Sequence, residues 1–199
     1  MDSVINPQPS MDDAGLAYFK KATSHSRCYL EYGSGGSTVY ACQVARIQTV
    51  ISVESEPVWA DAVRLALVDH ASQLHMQYCD IGPVGEWGTP LDLQYGVVKR
   101  FWNYMVLPWS TAITCGQAPD TILIDGRFRV AAFLYSLVSA TEGTTIMFDD
   151  YVNRPYYSVV EEFCSIKEMH GRMAVFVTSR NLSMPALAAK LMEYSVRWD

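Results

Sequence analysis

The apolar residues of this chain fall into short continuous runs, separated by stretches in which they recur every three or four positions. Residues 27–32, 48–54, 73–79, 120–125 (DTILID) and 144–149 (TTIMFD) read as strands. Between them the spacing predicts helices. The first covers 10–22, with Ser10 as its cap and Asp12 and Asp13 at its positive end. The next runs from Ser37 to Arg46. A third opens at Pro57 and carries Val58, Ala62, Leu65 and Ala66 on one stripe. Others follow near 97–105, over 127–140 and over 155–163. Strands alternating with helices argue for βαβ units and a parallel sheet. The last part differs: IKEMHGRMAVFVT reads as two strands joined at His170-Gly171, a hairpin that closes the sheet, and Pro185 to Tyr194 reads as a helical tail.

Composition narrows the class. Half of the 199 residues are hydrophobic and 18% are charged, which excludes a disordered chain and allows one sizeable core spanning 1–199. The rhythm breaks over 80–119, where Pro83, Pro90 and Pro108 sit among glycines and the aromatic residues Trp87, Tyr95, Trp102 and Trp109. So long an excursion is read as an insertion of the kind that carries substrate contacts. The net charge of −6 argues against a nucleic-acid partner, which needs clustered Lys and Arg. No apolar run is long enough to cross a membrane, so no membrane partner is expected. The N-terminal MDSVINPQPSMDDAG has neither the basic nor the apolar region of a signal peptide. Five scattered cysteines without a CxxC fit a reduced, cytoplasmic setting, and four histidines without ligand spacing give no structural zinc site.

Candidate chemistry begins at Glu31-Tyr32-Gly33-Ser34-Gly35-Gly36-Ser37, between a strand and a helix. Gly33 and Gly35 allow close approach of a ligand, and the helix that follows offers unpaired N–H groups. Such a turn at the start of an α/β sheet is where doubly wound folds bind nucleotides. Glu54, at the end of the second strand, is placed to accept both hydroxyls of a ribose. A dinucleotide fingerprint needs a third glycine or an alanine where this chain has Thr38, so that fingerprint fails.

The pattern ExGxGxS, with Glu54 following it, resembles the first motif of the class I S-adenosylmethionine-dependent methyltransferases. The terminal hairpin resembles that family too, and the likeness runs from about Tyr18 to Thr178. It implies an α/β, Rossmann-like methyltransferase fold: a mostly parallel seven-stranded sheet with a C-terminal antiparallel hairpin. It implies S-adenosylmethionine held by Glu31, Gly33, Ser34, Gly35, Ser37, Glu54 and Asp125, with Asp80 against the adenine and Ile81 flanking the ring.

A second set, Asp125-Gly126-Arg127 and Asp149-Asp150-Tyr151, follows the fourth and fifth strands, at the ends where ligands bind in open α/β sheets. Converging carboxylates repel unless a cation or an arginine neutralises them. The IDG…FDD spacing resembles the metal-dependent small-molecule O-methyltransferases, which implies Mg²⁺ held by Asp125, Asp149 and Asp150. Those of the sugar type carry a histidine just after the IDG, where this chain has Arg127. An Asp–Arg ion-pair cluster therefore stands beside the metal reading. Arg127 and Arg129 also suit an anionic substrate. Tyr151, Arg154, Tyr156 and Tyr157, with Trp87 and Tyr95, are candidates to line an acceptor pocket. Asp125 is the candidate base or metal ligand. The function expected is methyl transfer to a small-molecule acceptor, at a hydroxyl. A catalytically silent relative and a nicotinamide-dependent oxidoreductase are the alternatives.

Overall fold

Five of the apolar runs form strands that lie parallel: β1 (Cys28–Tyr32), β2 (Thr49–Glu54), β3 (Leu74–Tyr78), β4 (Thr121–Ile124) and β5 (Thr145–Phe148). The computed structural model describes residues 8–71, 73–152 and 154–198; residues 1–7, on which the leader reading partly rests, lie outside them. The terminal hairpin, β6 (Glu168–His170) and β7 (Met173–Val177), adds antiparallel to β5, and the seven strands run in the order β3-β2-β1-β4-β5-β7-β6. Every residue of β1, β2 and β4 is buried, as expected where helices cover both faces of a parallel sheet.

The alternation along β1 divides the core. Cys28, Leu30 and Tyr32 face a cluster built with α5 (Phe101–Thr114), α6 (Arg129–Ser139) and α7 (Met184–Tyr194). Tyr29 belongs to the other face, with α1 (Asp13–Thr23), α2 (Gly36–Gln43) and α3 (Pro57–Ala66). The short α4 (Tyr95–Val98) and a 3-10 turn at Glu86–Gly88 lie in the 80–119 stretch. Among the described residues no helix is long and apolar enough to cross a membrane.

The structure corrects several local expectations. Asp12, rather than Ser10, caps α1: its Oδ1 accepts from the Gly15 N–H at 2.7 Å. In α3 the expected stripe is turned outward, with Val58 71% and Leu65 77% exposed. The set Ala60, Val63 and Leu67 packs on the sheet instead, at the same helical spacing. The helix near 97–105 is a longer one that continues through Pro108 to Thr114. Pro108 forfeits one helical hydrogen bond, and burial of Phe101, Tyr104, Met105, Trp109 and Ala112 against the sheet offsets it. Residues 155–163 form a 3-10 helix, Pro155–Glu162. Helix α6 starts at Arg129 because the buried Phe128 before it is left-handed, at φ 55°.

Glu31 points from β1 into the α2 side of the core and is fully buried. Its carboxyl accepts from the hydroxyls of Tyr29 (2.8 Å), Ser37 (2.8 Å) and Thr38. Burial pushes its pKa up against the pull of those hydroxyls. The residue expected to touch a cofactor is thus the anchor that fixes the start of α2 to the sheet. Glu31→Ala strands three buried hydroxyls, and we expect it to cost about 2–4 kcal/mol. Urea unfolding measures this; an unchanged midpoint would mean that the carboxyl does not hold α2.

Candidate functional site

The carboxyl ends of β1, β2, β4 and β5 surround a cavity of about 710 Å³, within the size range of small-molecule sites. It lies where the strand order reverses, since the chain leaves β1 towards β2 on one side and β4 lies on the other. Two loops meet there backbone to backbone. Gly33 is left-handed at φ +89°, and a Cβ on it would lie 2.7 Å from Gly126 Cα. A Cβ on Gly126 would strike the Tyr104 hydroxyl and lie 2.7 Å from Gly33 N. Only glycine fits at both positions.

Ser34 is clamped from three sides. Its N–H and hydroxyl donate to Glu54 Oε2 at 3.1 and 3.2 Å, and its carbonyl accepts from Trp59 Nε1 at 2.7 Å. Glu54 Oε1 accepts from the N–H groups of Ser55 (2.7 Å) and Glu56 (2.9 Å). A carboxylate offers about four acceptor sites, so Glu54 is saturated by the two loops it joins. Gly88 brings the 80–119 stretch onto this corner. A Cβ there would lie 2.7 Å from Ser55 Oγ, and the neighbouring Trp87 stands at the cavity mouth.

On the β4 and β5 side, charges pair off. Asp125, Asp149 and Asp150 bring their ligand atoms within 4.8 Å of one another, the convergence that the sequence implies. Each of them holds a guanidinium. Arg129 pairs with Asp125 Oδ1 at 3.0 Å. Arg172 grips the fully buried Asp149 at 3.1 and 2.8 Å and reaches Asp150 at 3.0 Å. Arg154 contacts Asp150 at 3.3 Å and donates to the Tyr157 hydroxyl at 2.9 Å. Burial, outweighing the charge of Arg129, pushes Asp125 up to about 7. The carboxylates hold Arg172 above its ordinary value.

The cavity brings together Gly33, Ser34, Gly35, Ser37, Glu54, Asp125, Arg127 and Asp150 from the expected set. Glu31 lies behind the loop, and Asp149 is buried beneath the arginines. Asp80 and Ile81 are not in its lining. Asp80 pairs with Arg100 at 2.6 Å and accepts from the Gly82 N–H, in a separate shallow pocket beside α5, and Ile81 is core. Tyr151 is core as well, its hydroxyl donating to Glu161 at 2.8 Å. Tyr95 is exposed away from the cavity, while Trp87 and Arg154 do line it. Sequence reasoning missed Trp59, Tyr104 and Arg172. Arg172, just past the His170-Gly171 turn, gave no local signal, because its partners are distant in sequence.

No family model and no curated protein matches the sequence. Among solved structures, a methyltransferase-like protein from Silicibacter pomeroyi is 32% identical, with 96% of this chain and 98% of that one covered at a TM-score of 0.85. An O-methyltransferase from Bacillus cereus in complex with SAH is 14% identical over 86% of this chain and 84% of its own, at a TM-score of 0.52. A methyltransferase from Geobacter sulfurreducens is 12% identical over 85% and 80%, at 0.51. The last two share the fold, a Rossmann-like methyltransferase fold. Identity and coverage with the first reach further: the chain belongs to the family of methyltransferase-like proteins that the Silicibacter protein represents.

Proposed function

We propose that this protein is an S-adenosylmethionine-dependent methyltransferase acting on a hydroxyl of a small-molecule acceptor. One observation carries the reading: the glycine loop, Glu54 and the Asp125–Gly126 turn converge on one cavity at the switch point of the sheet. SAH in the Bacillus neighbour, the demethylated form of the cofactor, supports it. The residues fit the group: the N–H groups of Gly33, Ser34 and Gly35 are held within the fold, and the first turn of α2 from Gly36 opens on the cavity as a helix N-terminus suited to a carboxylate. Glu54 acts first by holding Ser34 in place, and a ribose hydroxyl would exchange with the Ser34 hydroxyl bond.

The chemistry supplied there is a sulfonium methyl. The chain's share is to align the acceptor, exclude water and take up one proton. Asp125 is suited to that proton. It lines the cavity with about a third of its side chain exposed and commits Oδ1 to Arg129. Magnesium does not fit this donor set. All three carboxylates already hold guanidinium groups at 2.8–3.4 Å, so their repulsion is relieved without an ion.

Calorimetry is expected to show S-adenosylmethionine binding at micromolar Kd and no binding of NADH. Glu54→Gln turns one acceptor into a donor facing N–H groups, and should weaken binding about tenfold or more. A protein that binds neither ligand refutes the reading. With Asp125 as base, only its ionised form works, so kcat/KM should rise as pH passes about 7 and fall away below it. Asp125→Asn should abolish that limb together with turnover. Turnover should be unchanged in EDTA; loss in EDTA and rescue by Mg²⁺ would restore the metal reading.

A further inference from the structure

Four arginines line the cavity, and three of them are spoken for: Arg129, Arg154 and Arg172 hold the aspartates. Arg127 is different. Among the described residues its side chain makes no hydrogen bond or ion pair, and its Nε is buried with no partner. Its surroundings add positive charge, since Arg129 and Arg154 both act on it, and with burial they pull its pKa down. A half-buried guanidinium without a counter-charge is a costly arrangement in a folded protein. Nothing in the fold calls for it. Phe128 supplies the left-handed residue of the turn, Gly126 its close approach to Gly33, and Arg129 joins the strand ends.

We propose that Arg127 is the receptor for an oxyanion, a carboxylate or a phosphate, carried by the methyl acceptor. The planar fork of arginine suits either group in a bidentate contact. On the methyltransferase reading, the cofactor's own carboxylate has the first turn of α2 to receive it, which leaves Arg127 for the acceptor. The groups acting on Arg127 are the guanidinium groups of Arg129 after β4 and Arg154 after β5, with the phenols of Tyr104 in α5 and Tyr157 after β5. The Arg127 stem packs beside Gly88, at the corner where Glu54 and Ser55 also meet that glycine, while Glu54 itself is committed to the glycine loop through Ser34. Trp87 and Thr89, from the 80–119 stretch, join Arg127 in the lining and give it an aromatic edge. The assignment to an acceptor rests on the methyltransferase reading; the anion site itself does not.

The test uses the whole chain, with inorganic phosphate, benzoate and the neutral benzamide as probes, each titrated with and without saturating SAH. At least one anion should bind and benzamide should not. Arg127→Gln should weaken that anion about tenfold or more while leaving SAH affinity unchanged. Phosphate binding alone points to a phosphorylated acceptor, and benzoate binding alone to a carboxylic acid. Thermal melting separates this from a structural role: Arg127→Gln should melt no lower than the wild type, because it removes an unpaired charge. Equal anion binding in the wild type and the variant overturns the proposal, as does a variant that loses SAH, which would place Arg127 on the cofactor. Anion binding that depends on Arg127 in a protein that does not bind SAH would support the anion site and refute the methyltransferase reading.

Discussion

One buried guanidinium organises the functional end of this sheet. Arg129 is 5% exposed and donates from Nε to the Gly126 carbonyl at 3.0 Å, from Nη1 to the Asp149 carbonyl at 2.8 Å and from Nη2 to the Asp125 carbonyl at 3.0 Å, besides pairing with the Asp125 carboxylate. Carbonyls at the ends of β4 and β5 have no strand partner beyond them, and a buried arginine has five N–H groups to place. Each need answers the other. The cost of burying the cation is offset by acceptors that would otherwise be left open. The result is a rigid junction between the two strands on which the aspartates and Arg127 are mounted.

The glycine turns extend that rigidity across the sheet. Gly33 and Gly126 touch through their backbones, and Asp125 N–H donates to the Tyr32 carbonyl at 3.0 Å. The loop after β1 therefore takes its position from the loop after β4. Glu54 adds the third connection by binding both Ser34 and its own loop. Three strand ends thus share one framework of short bonds. Asp125 belongs to that base through Arg129 and Tyr32 and keeps one carboxylate oxygen out of the Arg129 pair, while Arg127 stands on it without a bond from its side chain.

Much of this was legible in the chain because the signals were local. Five parallel strands announce themselves as runs between helical stretches, and the turn at His170-Gly171 marks the hairpin. The glycine turn and the acidic residue after β2 were also readable, being tied to positions along βα units. What escaped was set by packing. Helix α3 is apolar on more than one side, so periodicity chose Val58 and Leu65 where the sheet chose Ala60, Val63 and Leu67. The helix read near 97–105 stops short of Pro108, yet the apolar residues around that proline carry α5 onward. Glu31 fits a cofactor motif by spacing, but a strand's alternation sends it inward, to the face opposite Tyr32. The ion pairs of Arg172 with Asp149 and Asp150 escaped because those partners lie far from it along the chain.

That distance has a bearing on how the molecule is made. Arg172 donates to the Ser10 carbonyl at 2.6 Å and, through its backbone N–H, to the Asp12 carboxylate at 2.7 Å, while its side chain neutralises Asp149. The first helix is translated early and the hairpin late, so the clasp between them closes only when nearly the whole sheet has left the ribosome. Until then Asp149 and Asp150 lack their strongest counter-charge and the cavity lacks a wall. A nascent chain can pair β1, β2 and β3 before β4 is made, but the cavity is among the last parts to take shape. Vectorial synthesis thereby leaves this clasp to the last strands of the sheet.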